Sequence, residues 1–282
     1  MKTVADIMTN VPIVAEVPGS RNDAINIMVR NKLTGVPVVR SSDGKLVGIV
    51  SRKDVFNKFD EDQLSLIMKK AIITVGLDAS IKDVARIFVE KRIHRIPVVE
   101  DGKLIGIITP TDLLDEVKGL RSTMTADDVM GRNTCITAYV NDPLSYIISS
   151  MRVSGVTAFP VLDAQGTLVG IITDRDLFID QTKDVQTLKN EIGGLDEANQ
   201  SLAGYRNVLP LFYVATDKHI SEDHIVKDFM VKEPVTVFKK TSLSEIAKIM
   251  KQNDFGQIPI HGNKNELVGM VYDVDVLSAL LG

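Results

Sequence analysis

The chain has 282 residues, 44% hydrophobic and 25% charged, the balance of an ordinary globular protein with room for roughly two domains. A formal net charge of −4 and an aromatic content of 5% speak against a general attraction to nucleic acid or a base-stacking surface. The single cysteine, Cys135, excludes an internal disulfide and a cysteine-based zinc site, and fits a reducing compartment. Met1-Lys2-Thr3-Val4-Ala5-Asp6 does not read as a signal peptide, and no apolar run approaches the roughly 20 residues that span a bilayer. The longest candidate, Val208 to Ala215, is far too short, so the expectation is a cytoplasmic protein without a membrane segment.

In chain order, Asp6-Ile7-Met8 precedes a β-like segment, and Ala24-Ile25, Met28-Val29 and Leu33 then follow helical spacing. Next come a strand led by Pro37, a turn, and the strand of Leu46-Val47-Gly48. Leu66-Ile67-Met68 opens a second round, with a helix stripe at Ile81, Val84-Ala85, Phe88 and Ile93. Ile96-Pro97-Val98-Val99 and Leu104-Ile105-Gly106-Ile107-Ile108 are nearly free of polar side chains, as expected of strands covered on both faces. Asp101-Gly102 between them is a strong hairpin signal, because Gly tolerates the positive φ of the turn. Pro97 has no N–H for a ladder and is expected to open its strand. Thr109 fits an N-cap, Pro110 the first helical position and Asp112 the third, so this strand turns directly into a helix. A third round has Asp128-Val129-Met130, a stripe at Leu144, Ile147-Ile148 and Met151, and a hairpin from Phe159 to Asp176. A fourth has Asp228-Phe229-Met230, a stripe at Leu243, Ile246-Ala247 and Met250, and a hairpin from Ile258 to Asp275.

The rounds are internal repeats. The Met and Gly landmarks (Met8 and Gly48, Met68 and Gly106, Met130 and Gly170, Met230 and Gly269) lie 38 to 40 residues apart in every one. Each unit reads strand, helix, strand, strand, helix, a βαββα pattern of α+β class. One unit alone has a small sheet with an uncovered face and is expected to pair with its neighbour. The repeats are placed at 1–58, 64–117, 123–181 and 223–282, giving two modules at 1–117 and 118–282. The step from Gly170 to Gly269 is longer than the others by roughly 35 residues. That insertion, 182–222, reads as an ordered excursion in which Leu209, Leu211, Phe212 and Tyr213 look packed.

Aligning the repeats aligns their endings. Ser51 and Asp54, Thr109 and Asp112, and Thr173 and Asp176 each place a hydroxyl and a carboxylate three residues apart. In the fourth repeat Tyr272 stands where the hydroxyl residue should be, ahead of Asp275. Thr-x-x-Asp is a capping-box pattern, and capping alone would explain it. A hydroxyl at a helix N-terminus is equally well placed for a phosphate, since the unpaired N–H groups favour an anion. The two readings coexist, because an empty site leaves the Asp free to cap.

Gly, two apolar residues, Ser or Thr, two residues and Asp, after a Pro-led hairpin, resembles the CBS domain, named for cystathionine β-synthase. The resemblance covers nearly all of the chain outside the insertion. It implies that the repeats associate in pairs called Bateman modules, which bind adenosine-containing ligands: AMP, ADP, ATP or S-adenosylmethionine. It further implies that Ser51, Thr109 and Thr173 contact phosphate, that Asp54, Asp112 and Asp176 bind ribose hydroxyls, and that apolar residues near the strands hold adenine. His94-Arg95 resembles the His-Arg pair that contacts phosphates in nucleotide-sensing members. Tyr272 departs from the pattern and puts a site at Asp275 in doubt.

The first module carries Arg95, Arg52 and Lys53, whereas the second has Ala158 and Gln257 in the place of Arg95, with Asp174 offset only by Arg175. The expectation is that the first module takes a phosphorylated nucleotide and the second an adenosyl ligand of little negative charge. No Walker-type loop or nucleophile elbow is present, and His219 and His224 are spaced for different helix faces, so neither an enzyme nor a metal site is expected. The reading is a non-enzymatic regulatory and energy-sensing protein with no catalytic cofactor. It would act on a separate effector protein or assemble with itself. The alternative is a nucleic-acid-binding or scaffolding module.

Overall fold

The computed structural model describes residues 2–58, 60–132, 134–176 and 224–282. The expected excursion at 182–222 lies outside them. The first repeat holds β1 (Thr9–Asn10), β2 (Ala15–Val17), α1 (Arg21–Arg30), β3 (Gly35–Arg40), β4 (Leu46–Ser51) and α2 (Arg52–Asn57). The second holds α3 (Leu64–Ile67), α4 (Ile81–Lys91), β5 (Ile96–Glu100), β6 (Lys103–Ile108) and α5 (Pro110–Lys118). The third holds β7 (Ala138–Tyr139), α6 (Leu144–Ser154), β8 (Ala158–Leu162) and β9 (Leu168–Thr173). The fourth holds α7 (Val226–Phe229), β10 (Val231–Lys232), β11 (Val237–Phe238), α8 (Leu243–Asn253), β12 (Gln257–His261), β13 (Leu267–Tyr272) and α9 (Asp273–Val276).

The long helices start and stop where their side chains satisfy orphan backbone groups. Ser20, Ser80 and Ser242 accept from the N–H groups of Asp23, Asp83 and Glu245. α4, α6 and α8 end on Arg92, Gly155 and Asp254, all in the left-handed region. The buried faces carry most of the predicted stripes: Ala24, Ile25 and Met28; Ile81, Val84, Ala85 and Phe88; Leu144, Ile147, Ile148 and Met151; Leu243, Ile246, Ala247 and Met250. Val29 is only half-buried, and Leu33 and Ile93, also half-buried, lie past the ends of α1 and α4 because those helices stop at Arg30 and Lys91.

Each hairpin is antiparallel, and Asp101 and Gly102 both take the positive φ expected of their tight turn. Pro97 does not open its strand as expected; Ile96 precedes it and pairs with Ile108. The ladder tolerates Pro97 because its nitrogen faces the third-strand side. There Val75 bonds only the Pro97 carbonyl (3.2 Å) and the Val99 N–H (3.0 Å). Pro37, Pro160 and Pro259 likewise stand one residue before the parallel pairing at Val38, Val161 and Ile260 begins.

Neighbouring repeats exchange their leading segments. Thr9 pairs with Ile107 and Lys69 with Ile49, so the first two repeats each add backbone to the other's hairpin. Val231 pairs with Ile171 in the same way. The Met and Gly landmarks meet here. Met8 lies over Gly106, Met68 over Gly48, Met230 over Gly170 and Met130 over Gly269. A Cβ on Gly48 would stand 2.7 Å from the Met68 sulfur and 2.9 Å from the Lys69 carbonyl oxygen, so only glycine admits the crossing segment.

The helical faces are buried along a different pairing. One core joins the first and third repeats through Ala24, Ile25, Met28, Ile147, Met151 and Phe159. The other joins the second and fourth through Val84, Phe88, Leu113, Leu243, Ile246 and Leu277. Every repeat is therefore held by backbone to one neighbour and by apolar packing to another.

Candidate functional site

The four hydroxyl–carboxylate junctions all stand where the second hairpin strand ends. Thr109 donates its N–H (2.7 Å) and its hydroxyl (2.8 Å) to Asp112, and Thr173 does the same to Asp176 (2.7 and 2.8 Å). Ser51 donates its N–H to Asp54 at 2.9 Å and its hydroxyl to the same oxygen, and the Asp54 N–H returns to Ser51 at 3.3 Å. In all three the carboxylate accepts from the backbone and hydroxyl of the residue three before it, the carboxylate half of a capping box. The carboxylates differ in what else they meet. Asp54 is buried and pairs with Lys69 of the second repeat at 3.3 Å. Asp112 and Asp176 are half-buried and, among the described residues, bond only to their own caps. Burial pushes both carboxyls above the usual range, against the pull of their Thr bonds.

The fourth junction is built differently. Tyr272 donates only its backbone N–H to Asp275, at 3.0 Å. Asp275 is 0% exposed and forms an ion pair with Arg92, which arrives from the end of α4 in the second repeat. Burial raises the Tyr272 phenol to about 12. Tyr272 packs with Cys135, Ala158, Ile171 and Met270 in a small apolar cluster. That cluster fills the space between the hairpins of the third and fourth repeats, leaving Ile171 8% and Met270 1% exposed. The matching residues in the first module, Ile49 and Ile107, remain half-exposed, beside Ile13 at 45% and Ile73 at 37%. The hairpin positions are thus less covered in the first module than in the second, although Val235, the fourth-repeat counterpart of Ile73, is exposed as well, at 45%.

A charged cluster forms where all four repeats meet. Arg95 points at Gly35, its counterpart in the first repeat; a Cβ there would lie 3.0 Å from the guanidinium carbon. Burial pulls Arg95 down to about 10, with Arg52 acting in the same direction and Asp174, Asp273 and Asp54 opposing. Arg52 is buried, donates to the Leu33 carbonyl (3.1 and 3.2 Å) and stands 3.9 Å from Asp174. His94 lies 3.3 Å from Asp273. Among the described residues Arg95 makes neither a hydrogen bond nor a direct ion pair, although four charged groups surround it.

These positions alter the charge balance expected from sequence. Asp174 does not weigh on the second module alone but faces the cations of the first. Lys53 turns instead to the Gly155 carbonyl at 3.3 Å, and Arg175 to the Asp254 carbonyl at 3.3 Å. Ala158 is buried in the apolar cluster, and Gln257 opens β12 opposite Tyr272. Sequence reasoning did not single out Lys69 or Arg92, and considered Asp273 only as a helix cap in place of Tyr272. A basic residue directly after Met68 and a carboxylate directly after Tyr272 were visible, but their partners lie in other repeats. No group of three or more His, Cys, Asp or Glu suited to a metal occurs among the described residues, and none of their helices is long and apolar enough to cross a membrane.

Protein MJ1225 of Methanocaldococcus jannaschii is 28% identical over 192 residues, 62% of this chain and 68% of its own length. The crystal structure of MJ1225 matches with a TM-score of 0.74 at 24% identity, covering 98% of this chain and 99% of the other. A conserved protein from Pyrococcus horikoshii matches with a TM-score of 0.64 at 22% identity, covering 99% and 100%. Similarity to named enzymes is partial: the L-aspartate semialdehyde sulfurtransferase of M. jannaschii is 32% identical over 112 residues, only 21% of its length. The CBS-domain model matches residues 4–61, 64–119, 126–179 and 226–282, one match for each structural repeat, and the chain belongs to the CBS-domain family.

Proposed function

We propose that this chain is a non-enzymatic regulatory protein that senses an adenosine-containing ligand, and that the first module is its principal site. Family membership supports the ligand class, because CBS pairs hold adenosyl ligands between their hairpins. The observation that carries the reading is the contrast between the modules. The first combines partly uncovered apolar side chains at Ile13, Ile49, Ile73 and Ile107 with the Ser51–Asp54 and Thr109–Asp112 junctions and with Arg95. An adenine would lie among these side chains, a ribose diol would donate to Asp112 or Asp54, and a phosphate would reach Arg95 and the hydroxyl ends of α2 and α5. His94 stands beside the same path. AMP, ADP or ATP fits this charge better than S-adenosylmethionine does. In the second module, Thr173 and Asp176 keep the junction, but Tyr272 and Met270, packed together, would compete with an adenine there. Any ligand there must displace them.

A ligand that bridges repeats shifts their arrangement only by its differential affinity for two states, and an effector protein or a second copy would read that shift. The test is calorimetric titration of the full chain with AMP, ADP, ATP and S-adenosylmethionine, repeated on Arg95→Ala. Nucleotide binding that weakens at least tenfold in the variant is expected. Unchanged nucleotide affinity in Arg95→Ala, or exclusive binding of S-adenosylmethionine, would overturn the reading.

A further inference from the structure

The cations around Arg95 belong to the first module; of the carboxylates that face them, Asp54 is the first module's own and is paired with Lys69, and Asp174 and Asp273 come from the second. Arg52 is the residue directly after Ser51. Its counterparts after Thr173 and Tyr272 are Asp174 and Asp273. The fold brings these equivalent positions together, so that Asp174 stands 3.9 Å from Arg52 and Asp273 3.3 Å from His94. Asp273 is fixed in place: it accepts the Val274 N–H at 2.7 Å, and a Cβ on Gly256 would lie only 2.9 Å from its outer oxygen. Asp174 is held at the start of the turn by its own N–H, which donates to the Thr157 carbonyl at 2.9 Å. Neither carboxylate bonds Arg95 directly, so neither needs to leave for an anion to arrive. Both carboxylates stay beside it; burial pushes the Asp174 carboxyl up, and Arg52 and Arg95 oppose that rise.

We propose that Asp174 and Asp273 determine how much negative charge the Arg95 site accepts, favouring a monophosphate over a triphosphate. This rests on the reading that a phosphate reaches Arg95. One phosphate group is matched by Arg95 and Arg52. Each further phosphate must lie close to Asp174 and Asp273, in a confined space where charges interact more strongly than in bulk water. The first module supplies the attraction and the second module limits it, so the two modules form one recognition unit.

Asp174→Asn and Asp273→Asn are made separately in the full chain, preserving shape and hydrogen bonding while removing one charge each. AMP and ATP affinities are measured for each variant, for the parent and for Arg95→Ala. The ratio of ATP to AMP affinity should rise about tenfold in each Asn variant, and the increase should shrink as ionic strength is raised. An unchanged ratio, or parallel weakening of both nucleotides, overturns the proposal. If that occurs while Arg95→Ala still abolishes nucleotide binding, the phosphate reading stands and only the charge limit falls. If Arg95→Ala has no effect, both fall. Two independent variants keep the test decisive should one fold poorly.

Discussion

Asp112 and Asp176 accept two hydrogen bonds each from their own N-cap residue, while Asp275 adds an ion pair that crosses from the fourth repeat to the second. The same residue type at the same position therefore answers to different tests. Asp112→Ala removes one capping partner and should cost about 1 kcal/mol of stability. It should also weaken nucleotide binding at one site in titration calorimetry; a stability loss with affinity intact would mean that capping is all the residue does. Arg92→Ala leaves the Asp275 carboxylate fully buried without its guanidinium. It should cost about 1–3 kcal/mol in chemical denaturation, because a buried carboxylate loses a charged partner that is itself one-third exposed. Ligand stoichiometry should not change, since Tyr272 still occupies that position in the variant. A stability loss under about 1 kcal/mol would show that water or another group compensates for the guanidinium.

At the scale of elements, the hairpin and the crossing segment are fitted to each other through one glycine and one methionine. Gly48→Ala forces a methyl against the Met68 sulfur and the Lys69 carbonyl, and the carbonyl belongs to a segment bonded to Ile49 on both sides. The sulfur can swing aside, but the backbone cannot do so without losing those bonds. The substitution should cost about 1–3 kcal/mol, and a double-mutant cycle with Met68→Ala should show only partial relief. Complete relief would mean that the backbone contact is not limiting. The sequence displayed both landmarks at constant spacing, yet their contact was not legible. A spacing of 38 to 40 residues recurs within each repeat, whereas the contact runs between repeats. The helix stripes were legible because a 3.6-residue period is a local property. Pro97 was misplaced because its tolerance depends on a third strand reduced to Val75, which has no pattern of its own.

For the whole molecule, the sequence revealed four equivalent units and left open how their apolar helix faces are matched. Similar repeats carry similar stripes, so composition cannot distinguish first-with-second from first-with-third burial. The charges can: Arg52 and Arg95 on one module face Asp174 and Asp273 on the other. This combination makes a definite prediction for residues 1–117 expressed alone. The fragment would expose Ile25, Met28, Phe88 and Leu113, which are covered in the full chain by repeats three and four. A second copy of the fragment offers nearly the same apolar surface, so sedimentation should show a dimer. That dimer would set Arg52 and Arg95 of one copy against the same residues of the other, with no carboxylates from Asp174 and Asp273 between them. Like charges in a partly buried interface oppose association, and salt screens them. Dimerisation should therefore be weak at low ionic strength and strengthen as salt, or better a phosphate-bearing nucleotide, is added. A stable monomer, or a dimer that weakens with salt, would show that the shared cores and the central charges do not govern how the modules meet.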